Sequence, residues 1–160
     1  MVNFPINLAT KTPTFAQISL GDEALAHYDE GTFTPLLLLD TTDITSAASG
    51  AVNRGTYTRI GNVVYFNIES QVNRGTNTGT FRIRDLPFQS SATNFSVVNV
   101  GGEVGFRQSP PILAFIESST IYIDFYLAPA STAAALSVMT EANIAASSEV
   151  LIYASGFYLV

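Results

Sequence analysis

Few residues of this 160-residue chain have the types that do chemistry. His27 is the single histidine and there is no cysteine, so Cys–His catalysis, thiolate metal ligation and disulfides are excluded together. A Ser-His-Asp triad is a spatial arrangement that no spacing here specifies, and His27 reads as a packing or linker residue. Asp22, Glu23, Asp29 and Glu30 form an acidic cluster, with Asp40 and Asp43 nearby. A calcium loop places oxygen ligands at alternate positions, then a glycine and a closing glutamate. That order is absent, so the cluster reads as a solvated or arginine-binding face. Asp85, Glu117 and Asp124 are of the type paired in glycoside hydrolysis, but dispersed acids on β-strands make no such motif. The run Gly101-Gly102-Glu103-Val104-Gly105 lacks the lysine and helix of a phosphate loop and reads as a turn between strands. No catalytic, cofactor-binding or metal-binding residue is expected, and no enzyme.

The aromatic residues carry more information. Ile121, Ile123, Phe125 and Leu127 alternate with Tyr122, Asp124 and Tyr126. A strand puts successive side chains on opposite faces, so Tyr122, Asp124 and Tyr126 share the outer one. Exposed Tyr and Asp side chains suit either carbohydrate or a second subunit, and the interface is favoured because Tyr is enriched there. Tyr65 belongs to the same class of outward tyrosines.

The elements that position these residues are strands. Residues 54–72, RGTYTRIGNVVYFNIESQV, read as a hairpin around Gly61-Asn62, because Gly supplies the positive φ of a primed turn. With those two as turn residues, Arg54 opposes Glu69 as an ion pair, Tyr57 opposes Phe66, and Arg59 opposes Val64. Tyr57, Val64, Phe66 and Ile68 then share the core face. Thr56, Thr58, Tyr65 and Asn67 share the other, with Ile60 and Val63 near the turn. That second face is too apolar for a freely solvated surface, so a partner subunit or second layer is expected on part of it.

Further strands are expected over residues 32–39, 80–86, 95–100, 103–106, 112–116, 121–127 and 150–160. Pro35 points to an edge or first-residue position, Ser118-Ser119 to the tip of a second hairpin, and Gly156 to a bend. Residues 22–30 suggest one or two helical turns capped by Asp22 and stopped by Gly31. Residues 40–50 read as a polar loop, and residues 128–148 as a long loop or a short helix near 136–145. Residues 1–20, with Pro5 and Pro13, read as an extended arm whose spaced apolar residues Phe4, Ile6, Leu8, Phe15 and Ile18 anchor it to a partner. The organisation is therefore an arm and linker over residues 1–30 and a β-domain over 31–160. The pentapeptide VNRGT recurs at 52–56 and 72–76 with unmatched flanks and reads as coincidence.

Composition narrows the function. Hydrophobic residues make up 47% and charged residues only 12%, against the usual quarter or so. Such a surface suits a protein covered by copies or partners. A net charge of −6 with a single Lys argues against nucleic acid, which needs clustered cations on phosphates. No basic region followed by an apolar stretch opens the chain, so no secretory signal is expected. The apolar runs, such as the four leucines at residues 36–39 and the five apolar residues at 112–116, are far short of the ~20 residues of a membrane-spanning helix, and no membrane insertion is expected.

Several motifs resemble one family. Tyr28-Asp29-Glu30-Gly31-Thr32-Phe33-Thr34-Pro35 resembles the YEEGTWTP lead-in to C-terminal domains of tailed-phage tail-fibre and tail-spike proteins, with Phe33 where Trp is usual. Gly55-Thr56-Tyr57-Thr58-Arg59-Ile60-Gly61-Asn62-Val63-Val64-Tyr65-Phe66 is similar to the GxYTKIGNxVxF hairpin of that group. Asp85-Leu86-Pro87-Phe88 is similar to its GLPF element, and Ala154-Ser155-Gly156-Phe157-Tyr158 to its closing SGTY strand. These four elements occur in order from Tyr28 to the end of the chain. The resemblance implies an all-β fold, an antiparallel β-sandwich of jelly-roll type, assembled as a homotrimer on the virion surface after synthesis in the host cytoplasm.

Fibre chains place this domain after a long shaft, whereas here only a short stretch precedes it. The expectation is a free-standing unit: a capsid decoration or cement protein whose arm binds the major capsid protein or another virion protein. The alternative is a receptor-binding tail-tip module that attaches to a host surface glycan or receptor, with recognition in residues 40–50 and 128–148.

Overall fold

The computed structural model describes residues 19–20, 23–24, 28–44, 52–73, 75–104, 106–107, 110–128, 135–145 and 149–160. The anchoring residues expected in the arm, Phe4, Ile6, Leu8, Phe15 and Ile18, lie outside them, as does His27. The strands in chain order are β1 Ser19–Leu20, β2 Glu23–Ala24, β3 Tyr28–Phe33, β4 Leu36–Leu39, β5 Thr42–Asp43, β6 Asn53–Ile60, β7 Val63–Asn73, β8 Phe81–Arg84, β9 Ser96–Val104, β10 Leu113–Ile116, β11 Ile123–Leu127, β12 Ser137–Val138 and β13 Glu149–Leu159. β1 and β2 pair with each other, where a helical turn was expected from residue 22 onward. β3 begins at Tyr28, because the alternating Tyr28-Asp29-Glu30 run finds a partner along β6.

All other strands join one antiparallel sheet in the order β3-β6-β7-β13-β9-β10-β11-β8-β4-β5, with β12 added on β11. The fold is therefore all-β and antiparallel. The ladder is one continuous curled path and does not divide into the two sheets of a jelly roll. Two features make it curl. Ser96, Val97 and Val98 pair with β10, while residues from Val98 onward pair with β13, so β9 serves both sides of a corner. At the far end, β3 and β4 are consecutive in sequence. Only Thr34 and Pro35 separate them, yet β3 pairs with β6 and β4 with β8. Pro35 has no N–H for a ladder, which is why the strand breaks there and changes partner.

The β6–β7 hairpin has the register that a Gly61-Asn62 turn dictates. Tyr57 opposes Phe66, Arg59 opposes Val64 and Ile60 opposes Val63. Gly61 sits at φ +62°, the positive value that the first central residue of a type II′ turn requires. Its inner face joins the core: Val64, Phe66 and Ile68 are buried, and Tyr57 is half-buried against them. The opposite side of the curl contributes Leu37, Leu39, Phe81, Ile83, Ile123 and Phe125. Edge-to-face contact of Phe66 with Tyr158, at 5.9 Å, and tilted contact of Phe81 with Phe125, at 5.3 Å, pack the interior. The Tyr158 hydroxyl ties β13 to the segment after β8, donating to the Phe88 carbonyl and accepting from the Phe88 N–H.

β3 and β6 meet through two similar triplets, Gly31-Thr32-Phe33 and Gly55-Thr56-Tyr57. Their register sets Gly31 against Tyr57, Thr32 against Thr56 and Phe33 against Gly55. Each ring lies over the glycine opposite. A Cβ on Gly55 would come within 2.4 Å of the Phe33 ring, and one on Gly31 within 3.0 Å of the Tyr57 ring. The rings cover backbone that glycine leaves bare, so the small residue and the aromatic are required together.

Three local expectations change. Gly101-Gly102 lies inside β9 and is no turn; the partner register shifts there, between Leu151 and Ile152, which marks a bulge. Residues 136–145 contain β12, a bridge from Thr140 to Thr80, and one 3₁₀ turn, Glu141–Asn143, capped reciprocally by Thr140 and Asn143. The Met139 N–H bonds the Phe125 carbonyl, so sheet pairing prevails over helix in this Ala-rich stretch. Within residues 40–44, β5 pairs with β4 and Ile44 is buried, so the polar loop begins later than expected.

Candidate binding site on the outer face

Alternation leaves one side chain in two pointing away from the core, and antiparallel register lines these up across strands. On the outer face of β6, β7, β13 and β9 this produces ordered rows. Thr56 opposes Asn67, Asn67 opposes Ser155, and Ser155 opposes Asn99, a polar row across four strands. One row further along, Arg54 opposes Glu69, Glu69 opposes Tyr153, and Tyr153 opposes Gly101. On the other side, Thr58 opposes Tyr65, which opposes Phe157.

The first two rows line an open groove of about 480 Å³. Its floor is unspent: no side chain of Thr56, Asn67, Asn99 or Ser155 hydrogen-bonds a described residue. One aromatic ring, Tyr153, lines the groove, and the Tyr65–Phe157 pair, at 6.0 Å, occupies the next row of the sheet. Tyr65 is 50% exposed, Phe157 56% and Tyr153 40%. Gly101 deepens the floor, since a Cβ there would meet nothing within 4 Å. At one end Arg54 reaches Glu69 through Nε at 2.9 Å and Nη2 at 2.5 Å. Chemically the groove offers amide and hydroxyl donors and acceptors beside a flat aromatic ring.

The expected outward residues fall in two places. Tyr65 borders this groove. Tyr122, Asp124 and Tyr126 lie at β11, with β13, β9 and β10 between them and Tyr65. There the polar groups satisfy one another. Asp124 pairs with Arg82 at 3.0 Å, and the Arg82 guanidinium sits 5.2 Å over the Tyr122 ring. Burial raises the Asp124 carboxyl above the usual carboxylate range, with Arg82 opposing the shift and Glu117 adding to it. Tyr126 packs edge-on against Phe115 at 5.3 Å. Of the three dispersed acids, Glu117 and Asp124 interact electrostatically, while Asp85 pairs with Arg84 at 3.0 Å. Asp29 accepts a hydrogen bond from the Tyr57 hydroxyl at 3.0 Å, and Glu30 accepts one from Tyr28 at 2.6 Å. Among the described residues no three metal-ligating side chains gather.

Asn99, Ser155, Tyr153 and Gly101 went unmarked at the sequence level. Alternation alone signals that Ser155 and Asn99 point outward; nothing local signals that they stand beside Asn67.

No family model matches the chain, and no curated protein matches it. Among solved structures it is similar to the crystal structure of the Dettilon tailspike protein (gp208), with a TM-score of 0.57 and 19% sequence identity. The match covers 81% of this chain and 24% of that one, so the chain corresponds to about a quarter of the tailspike's length. The curled antiparallel sheet described above is thus a fold shared with part of a phage tailspike.

Proposed function

We propose that the protein is a receptor-binding module of a phage tail, a non-enzymatic virion component that attaches to a glycan or protein on the host surface through the outer-face groove. The observation that carries this reading is the row Thr56–Asn67–Ser155–Asn99, hydrogen-bonding side chains with no partner among the described residues, beside the exposed Tyr153 ring. A structural face would spend such groups on its own neighbours, as the β11 face does. The tailspike-like fold supports the same reading.

In this reading the chain is a homotrimer, as the resemblance implies, and exposed apolar residues at the hairpin end, such as Ile60, are covered by copies. The capsid-decoration reading rests on the arm, outside the described residues, and no described feature favours it over the tail.

Two experiments test the proposal. Fluorescent full-length protein is expected to bind host cells, and the Asn67→Ala/Asn99→Ala double variant to lose that binding while its melting temperature stays unchanged. Equal cell binding by the variant removes the groove from the function. Antibody-gold labelling of virions is expected at the tail; label over the head returns the decoration reading.

A further inference from the structure

We infer that a second site, the cleft formed by Phe95, Phe115, Tyr126 and Glu117, binds a trimethylammonium group. The cleft lies where the segment before β9 meets β10 and β11, and holds about 300 Å³, the lower end of the range for ligand pockets. Phe115 and Tyr126 form two of its walls, nearly perpendicular to each other at 77°. Phe95 is the third ring and is 67% exposed, far more than an aromatic side chain with a structural task. Three aromatic rings and one carboxylate thus border one open cleft, and both the ring quadrupoles and the negative charge favour a cation there.

The charges agree. Glu117 lines the cleft, and its carboxylate makes no hydrogen bond or ion pair with a described residue. The nearest cation, Arg82, is already engaged by Asp124 and the Tyr122 ring. Burial, reinforced by the negative charges of Asp124 and Glu117 and opposed by Arg82, raises the Tyr126 phenol above its usual value, so the ring stays neutral.

The lining also selects the kind of cation. A lysine ammonium carries three N–H donors, and this cleft supplies one carboxylate and one phenol oxygen to receive them. A trimethylammonium group carries its charge without any N–H, so it enters an apolar box with no donor left unpaired. The group has two common bearers, a choline headgroup and an Nε-trimethylated lysine.

The test is an NMR titration of the ¹⁵N-labelled full chain with choline chloride, with Nε-trimethyllysine amide, and with 3,3-dimethylbutan-1-ol, the neutral isostere of choline. Saturable shifts are expected around Phe95, Phe115, Glu117 and Tyr126 with a Kd of about 1 mM, and binding of the isostere about tenfold weaker. Glu117→Gln is expected to weaken choline binding several-fold without altering the spectrum elsewhere. Tyr126→Leu, which keeps apolar volume and removes the π face, is expected to abolish it. The tighter of choline and trimethyllysine identifies the bearer. Equal binding of choline and its isostere reduces the cleft to an apolar crevice and overturns the inference. So do the absence of saturation at about tenfold above 1 mM and a Glu117→Gln variant that binds unchanged. If Tyr126→Leu does not fold, the isostere and Glu117→Gln decide alone.

Discussion

The two halves of the curled sheet treat their outer faces in opposite ways. Along β6, β7 and β13 the strands are eight to eleven residues long; the outward side chains of the central row make no hydrogen bond with a described residue, and those beyond it make exposed contacts only, among them Arg54 with Glu69 and Gln71 with Glu149. Along β10, β11, β8 and β4 the strands are four or five residues long, and the central outward groups lock together as Arg82, Asp124 and Tyr122. Long strands draw their cohesion from the backbone ladder and an inner face such as Val64-Phe66-Ile68. Their outer side chains are then available for a ligand. Short strands have less ladder each, and their outer side chains take on structural work. A polar residue on a β face is a binding candidate when its neighbours leave it unpaired, whatever its type.

The largest break of this contrast lies inside. Phe66→Ala removes a buried ring from the inner face of the long half and is expected to cost about 3–5 kcal/mol in urea unfolding. A loss below about 1 kcal/mol would mean that this face is not the core.

The two ion pairs come next. Asp124→Ala leaves the Arg82 guanidinium in a largely covered position and is expected to cost about 1–3 kcal/mol. Arg54→Ala, which removes a side chain that is 72% exposed, is expected to cost no more than about 0.5 kcal/mol. Equal losses would erase the distinction between the halves.

Tyr158 joins the halves through Phe88, and Tyr158→Phe is expected to cost about 1 kcal/mol at neutral pH. Burial, the largest cause, holds the Tyr158 phenol well above its usual value. In alkali the unfolded chain loses this proton near pH 10 while the folded chain keeps it. The folded state then binds more protons, so stability falls as pH rises above about 10. Chemical denaturation across that range is expected to show the decline in the parent and a shallower one in Tyr158→Phe.

The smallest stability effect is expected where the functional effect is greatest. Asn67→Ala with Asn99→Ala should change unfolding free energy by less than about 0.5 kcal/mol, because neither amide bonds a described residue. A larger loss would show that the floor of the groove is structural after all.

The β6–β7 hairpin was legible from residue order because its information is local. A glycine that tolerates positive φ sets the turn, the turn sets the register, and a period of two assigns every side chain to a face. The second hairpin, β10 to β11, was legible in its strands but not in its register: its pairs centre on Ser119-Thr120, one residue past Ser118-Ser119, and Ser119 takes a φ of +59°. Local reasoning failed at Gly101-Gly102 and at residues 136–145, where glycine and alanine suggested a turn and a helix. In both places a distant strand supplied the hydrogen bonds that local structure would otherwise have made.

By itself, then, the sequence determined that the chain is all-β, that its long hairpin turns at Gly61-Asn62, and which hairpin side chains face inward. Turn geometry and alternation act over a few residues and need no knowledge of the rest. Only the tertiary structure decided that β13, more than eighty residues after β7's start, lies between β7 and β9. That placement sets Ser155 between Asn67 and Asn99 and makes the groove. It also decided that the corner at β9 brings Phe95 to the Phe115–Tyr126 pair. Which strands become neighbours follows from how the whole apolar surface is best buried, and no short stretch of residues carries that information.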